Sequence, residues 1–282
     1  MAIVAAVQMN SGNKKRENLE KAYSLLTRGV DMGAGLLALP ENFSFMGEER
    51  EKAKAAEDPE SGESVLFLKK FAAEHRVWIV GGSIPIKAGD GKATNTSLLI
   101  NDKGDVAARY DKVHLFDADL VNGETHRESD FVKRGDKAVV ADTPFGRVGL
   151  SICYDLRFPE LYRRLAAAGA EIIFAPSAFT FRTGKDHWEV LVRARAIENQ
   201  AYMAAPAQCG VHGHERTTYG NAMIADPWGK VAARASEKET VIAAELDHVY
   251  QSEIRKSIPC LEHRVLWKED AAMNFPESKP RR

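Results

Sequence analysis

The chain has 282 residues, of which 44% are hydrophobic, and this is enough for a sizeable buried core. Its 39 lysines and arginines balance 40 aspartates and glutamates, so no net charge favours binding to nucleic acid or to an anionic membrane. Three cysteines are too few for a disulfide framework, and no segment has the length of a membrane span or the features of a signal peptide. We therefore expect a cytoplasmic protein that binds a small molecule and has neither a nucleic-acid nor a membrane partner.

Predicted strands and helices alternate in the first third of the chain. An apolar strand covers residues 2–9, and a helix follows whose apolar residues lie on one face: Leu19, Ala22, Leu26 and Val30. Short apolar runs predict further strands over residues 35–40 and 77–86. The helix between these strands covers residues 61–76 and has Ser61 as its capping residue. Such alternation is typical of an α/β fold.

The middle of the chain changes character and the remainder returns to alternating elements. Between residues 95 and 147, turns with Asp-Lys-Gly and Pro-Phe-Gly separate strands that we expect to be antiparallel. Beyond them we predict helices at 159–168 and 186–200, and strands that include 171–179 and 201–209. No repeat or linker divides the chain. We predict one domain over residues 1–264, with mixed sheets covered by helices, and a C-terminal arm over residues 265–282.

Three chemically complementary residues follow predicted strands that are far apart in the sequence. Glu41 follows "LLALP", Lys112 lies in "RYDKVHLFD", and Cys153 lies between the apolar run "VGLSI" and a helix. Each has an ordinary structural explanation, since a lone cysteine is often a packing residue and a loop lysine is usually solvated. Together they are sufficient for acyl transfer without a metal, because a cation lowers the pKa of a thiol and a carboxylate accepts its proton. Lys112 and the backbone N–H after Cys153 can stabilise the oxyanion.

The motifs "LPENF", "YDKVHLFD" and "SICYDLRFPEL" resemble, in this order, the three signature blocks of the nitrilase superfamily of carbon–nitrogen hydrolases. The resemblance covers residues 2–264. It implies an α/β fold with a four-layer α-β-β-α sandwich, and a catalytic triad of Glu41, Lys112 and Cys153 that works without a cofactor. It also implies a second glutamate that orients Lys112; Glu128 in "HRESDF" matches that place best, and Glu124 is the alternative. Members of the superfamily pair their helices across interfaces, so the resemblance implies a homodimer or a higher homo-oligomer.

Two further motifs narrow the implied substrate to a small amide. "PSAFTFRTGKDHWEVLVRARAIENQAYM" resembles the branch of omega-amidases and deaminated-glutathione amidases, and "AAPAQCGVHGHERTTYGNAMIADPWG" looks more like the latter. This implies hydrolysis of the terminal amide of an α-keto acid with a peptide-like tail, through a cysteine thioester and with release of ammonia. The resemblance assigns Phe179 and Thr183 to the acyl pocket, and the N–H that we expect to bind the oxyanion belongs to Tyr154. Candidates for binding substrate carboxylates are Arg182, Arg216 and His214, which ordinary surface charge explains equally well.

Three alternatives remain at this stage. The first is an omega-amidase that acts on 2-oxoglutaramate or 2-oxosuccinamate, which have no tail. The second is a metal-dependent hydrolase that uses His212, His214 and Glu215, but two histidines two residues apart in a glycine-rich loop are a poor metal motif, so we expect no metal site. The third is a scaffold protein without catalysis. We assign Arg157 and Glu160 to bracing the turn after Cys153.

Overall fold

The computed structural model describes residues 2–89, 91–119, 123, 125–213 and 216–265. Glu124, His214, Glu215 and residues 266–282 of the predicted arm lie outside the described residues. The strands are β1 (Ala2–Met9), β2 (Leu36–Ala38), β3 (Trp78–Val80), β4 (Ile84–Lys87), β5 (Ala93–Ile100), β6 (Val106–Asp111), β7 (Asp117–Asp119), β8 (Thr125–Arg127), β9 (Val139–Thr143), β10 (Gly146–Leu150), β11 (Ile172–Phe174), β12 (Tyr202–Ala205), β13 (Ala207–His212), β14 (Arg216–Tyr219), β15 (Met223–Ala225), β16 (Val231–Arg234) and β17 (Thr240–Leu246). The helices are α1 (Lys15–Asp31), α2 (Lys52–Ala55), α3 (Glu63–His75), α4 (Glu128–Phe131), α5 (Pro159–Ala167), α6 (Phe181–Asn199) and α7 (His248–Ser257).

Two mixed sheets form the centre of the molecule. The larger sheet has the order β14-β13-β1-β2-β3-β5-β4, with β17 also paired to β1 and β6 paired to β5. The smaller sheet has the order β16-β15-β12-β11-β10-β9. Strands β1, β2 and β3 are parallel, as are β10, β11 and β12, whereas β5, β6 and β9 pair antiparallel to their neighbours. The antiparallel strands predicted between residues 95 and 147 are therefore confirmed.

The two sheets pack face to face and helices cover their outer faces. Side chains alternate along β1, so Val4 and Ala6 join the core that includes the smaller sheet, while Ala5 and Val7 join the core under α1 and α3. The central strands are apolar throughout because both of their faces are buried. On the other side, α5 and α6 pack on the smaller sheet. This arrangement is the four-layer α-β-β-α sandwich that the sequence predicts.

Two segments predicted as single strands are each broken in the structure. Residues 77–86 form β3 and β4, because the chain turns at Gly82 with a φ of +53°. A Cβ at Gly82 would lie 2.1 Å from the carbonyl oxygen of Pro40, so only glycine fits beside this loop. Residues 201–209 form β12 in the smaller sheet and β13 in the larger one, with Pro206 between them. The chain thus crosses between the sheets where the sequence shows one apolar run.

Two helix starts also differ from the prediction. Ser61 is not the cap of α3; the residue before the helix is Gly62, and the N–H and hydroxyl of Ser64 donate to the buried Glu57 carboxylate at 2.8 and 2.6 Å. Helix α6 begins at Phe181 instead of residue 186, because Thr180 caps it and accepts a hydrogen bond from the Thr183 N–H. None of the described helices is long and apolar enough to cross a membrane.

Candidate active site

Cys153 occupies a sharp corner between a strand and a helix. Strand β10 ends at Leu150, and Cys153 opens a 3₁₀ turn, Cys153–Arg157, that leads into α5. Its φ is +48°, a left-handed conformation that residues other than glycine rarely adopt. The Cys153 N–H donates to the carbonyl of Pro176 at 2.9 Å, which holds the strained residue in place. Strained residues of this kind are concentrated at functional sites.

Glu41, Lys112 and Glu128 form one buried charged cluster, with 3%, 2% and 4% of their surface exposed. Glu41 follows β2, Lys112 follows β6, and Glu128 is the first residue of α4. The Lys112 Nζ lies 3.0 Å from Glu41 Oε1 and 2.9 Å from Glu128 Oε2. Lysine therefore bridges two carboxylates away from water. The structure places Glu128 against Lys112, and the alternative Glu124 lies outside the described residues.

The charges of this cluster stabilise one another. Burial by itself disfavours the charged form of Lys112, but Glu128 and Glu41 raise its pKa well above the ordinary value, so it stays protonated. Burial likewise opposes ionisation of Glu128, yet Lys112 and Lys52 lower its pKa to about 2. The Phe116 N–H adds a 2.7 Å hydrogen bond to the Glu128 carboxylate. The result is a fixed ammonium group beside Cys153.

The Cys153 thiol is protonated in this arrangement. Burial and then the Glu41 carboxylate raise the pKa of the thiol above its usual range, while Lys112 and the Ala178 N–H act in the opposite direction. The thiol also forms a hydrogen bond with Glu41. Because Glu41 contacts both the thiol and Lys112, it can take the proton from Cys153 without moving far.

Asn95 and Asp155 complete the site and were not identified from the sequence. The Asn95 side-chain amide donates to Glu41 at 3.0 Å and to Glu128 at 3.2 Å, so it holds both carboxylates. Asp155 is fully buried and accepts hydrogen bonds from the Tyr110 hydroxyl at 2.7 Å and from the Ile152 N–H at 2.8 Å. Asp155 lies within the quoted cysteine motif, which is a usable signal, whereas nothing in the strand sequence distinguishes Asn95.

A narrow pocket of about 30 Å³ opens above these groups. Tyr154, Phe179 and Thr183 line this pocket, whereas Arg182 lines a larger groove alongside it. Arg157 lines the pocket as well, where its guanidinium lies 5.5 Å from the centre of the Phe179 ring. Arg157 therefore lies on the pocket wall, whereas the sequence analysis assigned it only to bracing the turn after Cys153. Arg157 has no carboxylate partner within the described ranges.

His212 does not support the metal hypothesis. It is buried, with Nδ1 at 2.7 Å from the carbonyl oxygen of Ser11 and Nε2 at 2.6 Å from the Thr218 hydroxyl. Burial lowers the pKa of His212 to about 4, so the ring is neutral and both nitrogens are used by these hydrogen bonds. In the part of the chain that the structure describes, no three His, Cys, Asp or Glu side chains are grouped to hold a metal ion.

Comparisons with known proteins agree with this fold. The family model "Carbon-nitrogen hydrolase" matches residues 3–256. A protein named deaminated glutathione amidase from Synechocystis sp. (strain PCC 6803 / GT-S) is 47% identical over 267 residues, covering 93% of this chain and 98% of that protein. A protein of the same name from Mus musculus is 40% identical over 269 residues, covering 94% and 83%.

A solved structure of a related protein has the same fold. The crystal structure of Saccharomyces cerevisiae Nit3, a member of branch 10 of the nitrilase superfamily, superposes with a TM-score of 0.83 at 34% identity. The match covers 92% of this chain and 94% of that chain. The matches of the family model and of these relatives extend over nearly the whole described structure, and residues 3–256 of this chain contain all three motifs. The chain therefore belongs to the carbon–nitrogen hydrolase family within the nitrilase superfamily.

Proposed function

We propose that this carbon–nitrogen hydrolase is an amidase of the deaminated-glutathione type, which cleaves its substrate through a thioester on Cys153. The observation that carries the proposal is the contact of Glu41 with both Lys112 and the thiol of Cys153 on the wall of one pocket. The names of the 47% and 40% identical relatives support the substrate class.

The first half of the reaction forms the thioester. Glu41 accepts the proton from the Cys153 sulfur, and the thiolate adds to the amide carbonyl carbon. The carbonyl oxygen becomes negative, and the Lys112 ammonium and the Tyr154 N–H donate hydrogen bonds to it. The Tyr154 N–H is available because the first N–H groups of a helical turn have no carbonyl partner within it. Glu41 then gives its proton to the nitrogen, and the amine leaves.

The second half releases the acid. Water enters the pocket, Glu41 accepts one of its protons, and the hydroxide adds to the thioester carbonyl. The second oxyanion is bound by the same donors as the first. Collapse of this intermediate breaks the carbon–sulfur bond, the sulfur regains the proton from Glu41, and the carboxylic acid leaves. Glu128 takes no proton in this sequence; it keeps Lys112 charged and pointed at the reacting oxygen.

The covalent structure of the proposed substrate corrects one expectation from the sequence. Deaminated glutathione has a keto oxygen in place of the α-amino group of glutathione, and its γ-amide nitrogen belongs to cysteinylglycine. Hydrolysis therefore releases 2-oxoglutarate and cysteinylglycine, and ammonia leaves only from a primary amide such as 2-oxoglutaramate. Arg157 on the pocket wall, without a carboxylate partner in the described structure, is the residue that we assign to the carboxylate beside the keto group.

The proposed function is tested by kinetics and mass spectrometry. Cys153→Ala should abolish turnover, by a factor of about 10³ or more, with an unchanged unfolding curve. Acid-quenched wild type should carry the added mass of a 2-oxoglutaryl group on Cys153. Retained turnover in Cys153→Ala would refute the mechanism. A larger kcat/KM for 2-oxoglutaramate than for deaminated glutathione would favour the omega-amidase, and no turnover of any amide would favour the scaffold.

Three further predictions remain proposals. We propose a single domain over residues 1–264 with a C-terminal arm, a cytoplasmic location, and a homodimer or higher homo-oligomer. Exposed apolar side chains on and beside α6 support the oligomer, since Val190, Ile197 and Trp228 are 66%, 49% and 48% exposed. Light scattering on the purified protein measures the assembly size, and a monomer at micromolar concentration would refute this part.

A further inference from the structure

A second cavity, which we call the outer groove, opens directly beside the catalytic pocket. It measures about 820 Å³, against about 30 Å³ for the pocket. Glu49, His126, Thr180 and Arg216 line both cavities, so the two are continuous. The groove is by far the larger of the two cavities, so the part of a peptide-tailed substrate that extends away from the reacting carbon has room there.

The first turn of α6 connects the two cavities. Thr183 lines the catalytic pocket, and the adjacent Arg182 lines the outer groove. Consecutive Cα atoms are about 3.8 Å apart, whereas two extended residues span about 7 Å. A dipeptide that leaves the pocket beside Thr183 is therefore long enough to reach the surroundings of Arg182.

Three glutamates, Glu48, Glu49 and Glu51, and two arginines line the outer groove, and Arg182 is the arginine that forms no ion pair in the described structure. Arg216 lies 3.1 Å from Glu49 Oε1, and Lys52 lies 2.7 Å from Glu49 Oε2, so these charges compensate one another. Burial opposes ionisation of Glu49, but Lys52 and Arg216 hold the pKa of that carboxyl below its ordinary value. Arg182 is exposed and forms no ion pair in the described structure. A carboxylate that enters the groove can pair with Arg182 without breaking an existing interaction.

We propose that the outer groove binds the dipeptide leaving group and that Arg182 pairs with its terminal carboxylate. Arg182 is then the residue that determines specificity between amides with a peptide tail and short amides. This inference rests on the proposed function, because it takes cysteinylglycine as the group on the scissile nitrogen.

The test compares two substrates with Arg182→Gln. The measured quantity is the ratio of kcat/KM for deaminated glutathione to kcat/KM for 2-oxoglutaramate. Loss of an exposed charge pair with one substrate should lower this ratio about twofold to fivefold, mainly through KM for the tailed substrate, and Arg182→Lys should restore part of it. Lys185→Gln is the matched control, since it removes an exposed cation from the same helix outside both cavities and should leave the ratio unchanged.

A modified substrate identifies the interacting group. When the terminal carboxylate of deaminated glutathione is converted to an amide, kcat/KM of the wild-type enzyme should fall by the same factor as the Arg182→Gln substitution causes. With this amide substrate, Arg182→Gln should cause no further fall in kcat/KM. The inference would be overturned if Arg182→Gln left the ratio of the two kcat/KM values unchanged. It would also be overturned if Arg182→Gln lowered kcat/KM equally for the carboxylate and amide forms of the tailed substrate. Either result would leave the proposed function standing. If the wild type cleaves short amides but not deaminated glutathione, the proposed substrate and this inference both fail.

Discussion

Replacement of Glu128 by glutamine tests whether a buried charge, and not only the shape of the site, sets the properties of Lys112. Glutamine keeps the size of the side chain and an oxygen that can accept from the Phe116 N–H, which now donates to the carboxylate at 2.7 Å. It loses the negative charge that lies 2.9 Å from Lys112 Nζ. A hydrogen bond between charged groups contributes about 1.5–3 kcal/mol, which corresponds to a loss of about 10-fold to 150-fold in kcat/KM.

The direction of the pH-dependent changes in Glu128→Gln follows from the pKa shifts of Lys112 and Glu128. Glu128 is the main group that raises the pKa of Lys112 against burial, so in Glu128→Gln the pKa of Lys112 falls. Because oxyanion binding needs the ammonium form, the alkaline limb of the kcat profile should move to lower pH. The pKa of Glu128 itself is lowered to about 2, so its stabilising effect is present above pH 4.5 and is lost as the pH falls towards 2. The variant should lack this part of the acid dependence of unfolding.

The assay is kcat and KM against pH, with 2-oxoglutarate release as the signal, together with urea unfolding at several pH values. Glu74→Gln is the control, because Glu74 is an exposed glutamate on α3 and its loss removes the same charge away from the pocket. If Glu128→Gln has the activity and the pH profile of the wild type, the charge of Glu128 does not govern Lys112.

Three further substitutions test how the site is held and what it binds. Asp155→Asn should lower kcat about tenfold and the free energy of unfolding by about 1–3 kcal/mol, because the buried carboxylate joins the Cys153 turn to Tyr110; unchanged kcat would contradict this. Gly82→Ala should lower the urea midpoint and the activity together, since its Cβ would lie 2.1 Å from the carbonyl oxygen of Pro40, next to Glu41; a stable, active variant would contradict the contact. Arg157→Gln should raise KM for 2-oxoglutaramate about tenfold relative to neutral butyramide, and an equal change for both amides would remove Arg157 from carboxylate binding.

The three candidate reacting residues could be selected from the sequence because each lies in a contiguous motif at the end of a strand. Glu41 and Cys153 follow parallel strands of different sheets, and Lys112 follows an antiparallel strand. The sequence indicates the order of the three motifs and the types of their residues, and the proposed chemistry depends on these residue types. It also indicates the alternation of apolar residues along β1 and α1, since burial on a sheet or helix face has a fixed period.

The contacts between distant segments were decided only by the tertiary structure. Asn95 binds Glu41 and Glu128 from the middle of β5, where its neighbours show an ordinary strand pattern. The single apolar run over residues 201–209 divides between two sheets, because local propensity does not specify which sheet a strand joins. The tertiary structure also decided that Arg182 lines the groove and Thr183 lines the pocket, because α6 begins at Phe181. The sequence by itself indicated which groups are chemically complementary, and the packing of the two sheets decided which side chains surround them, because such neighbours are set by long-range contacts that no local pattern encodes.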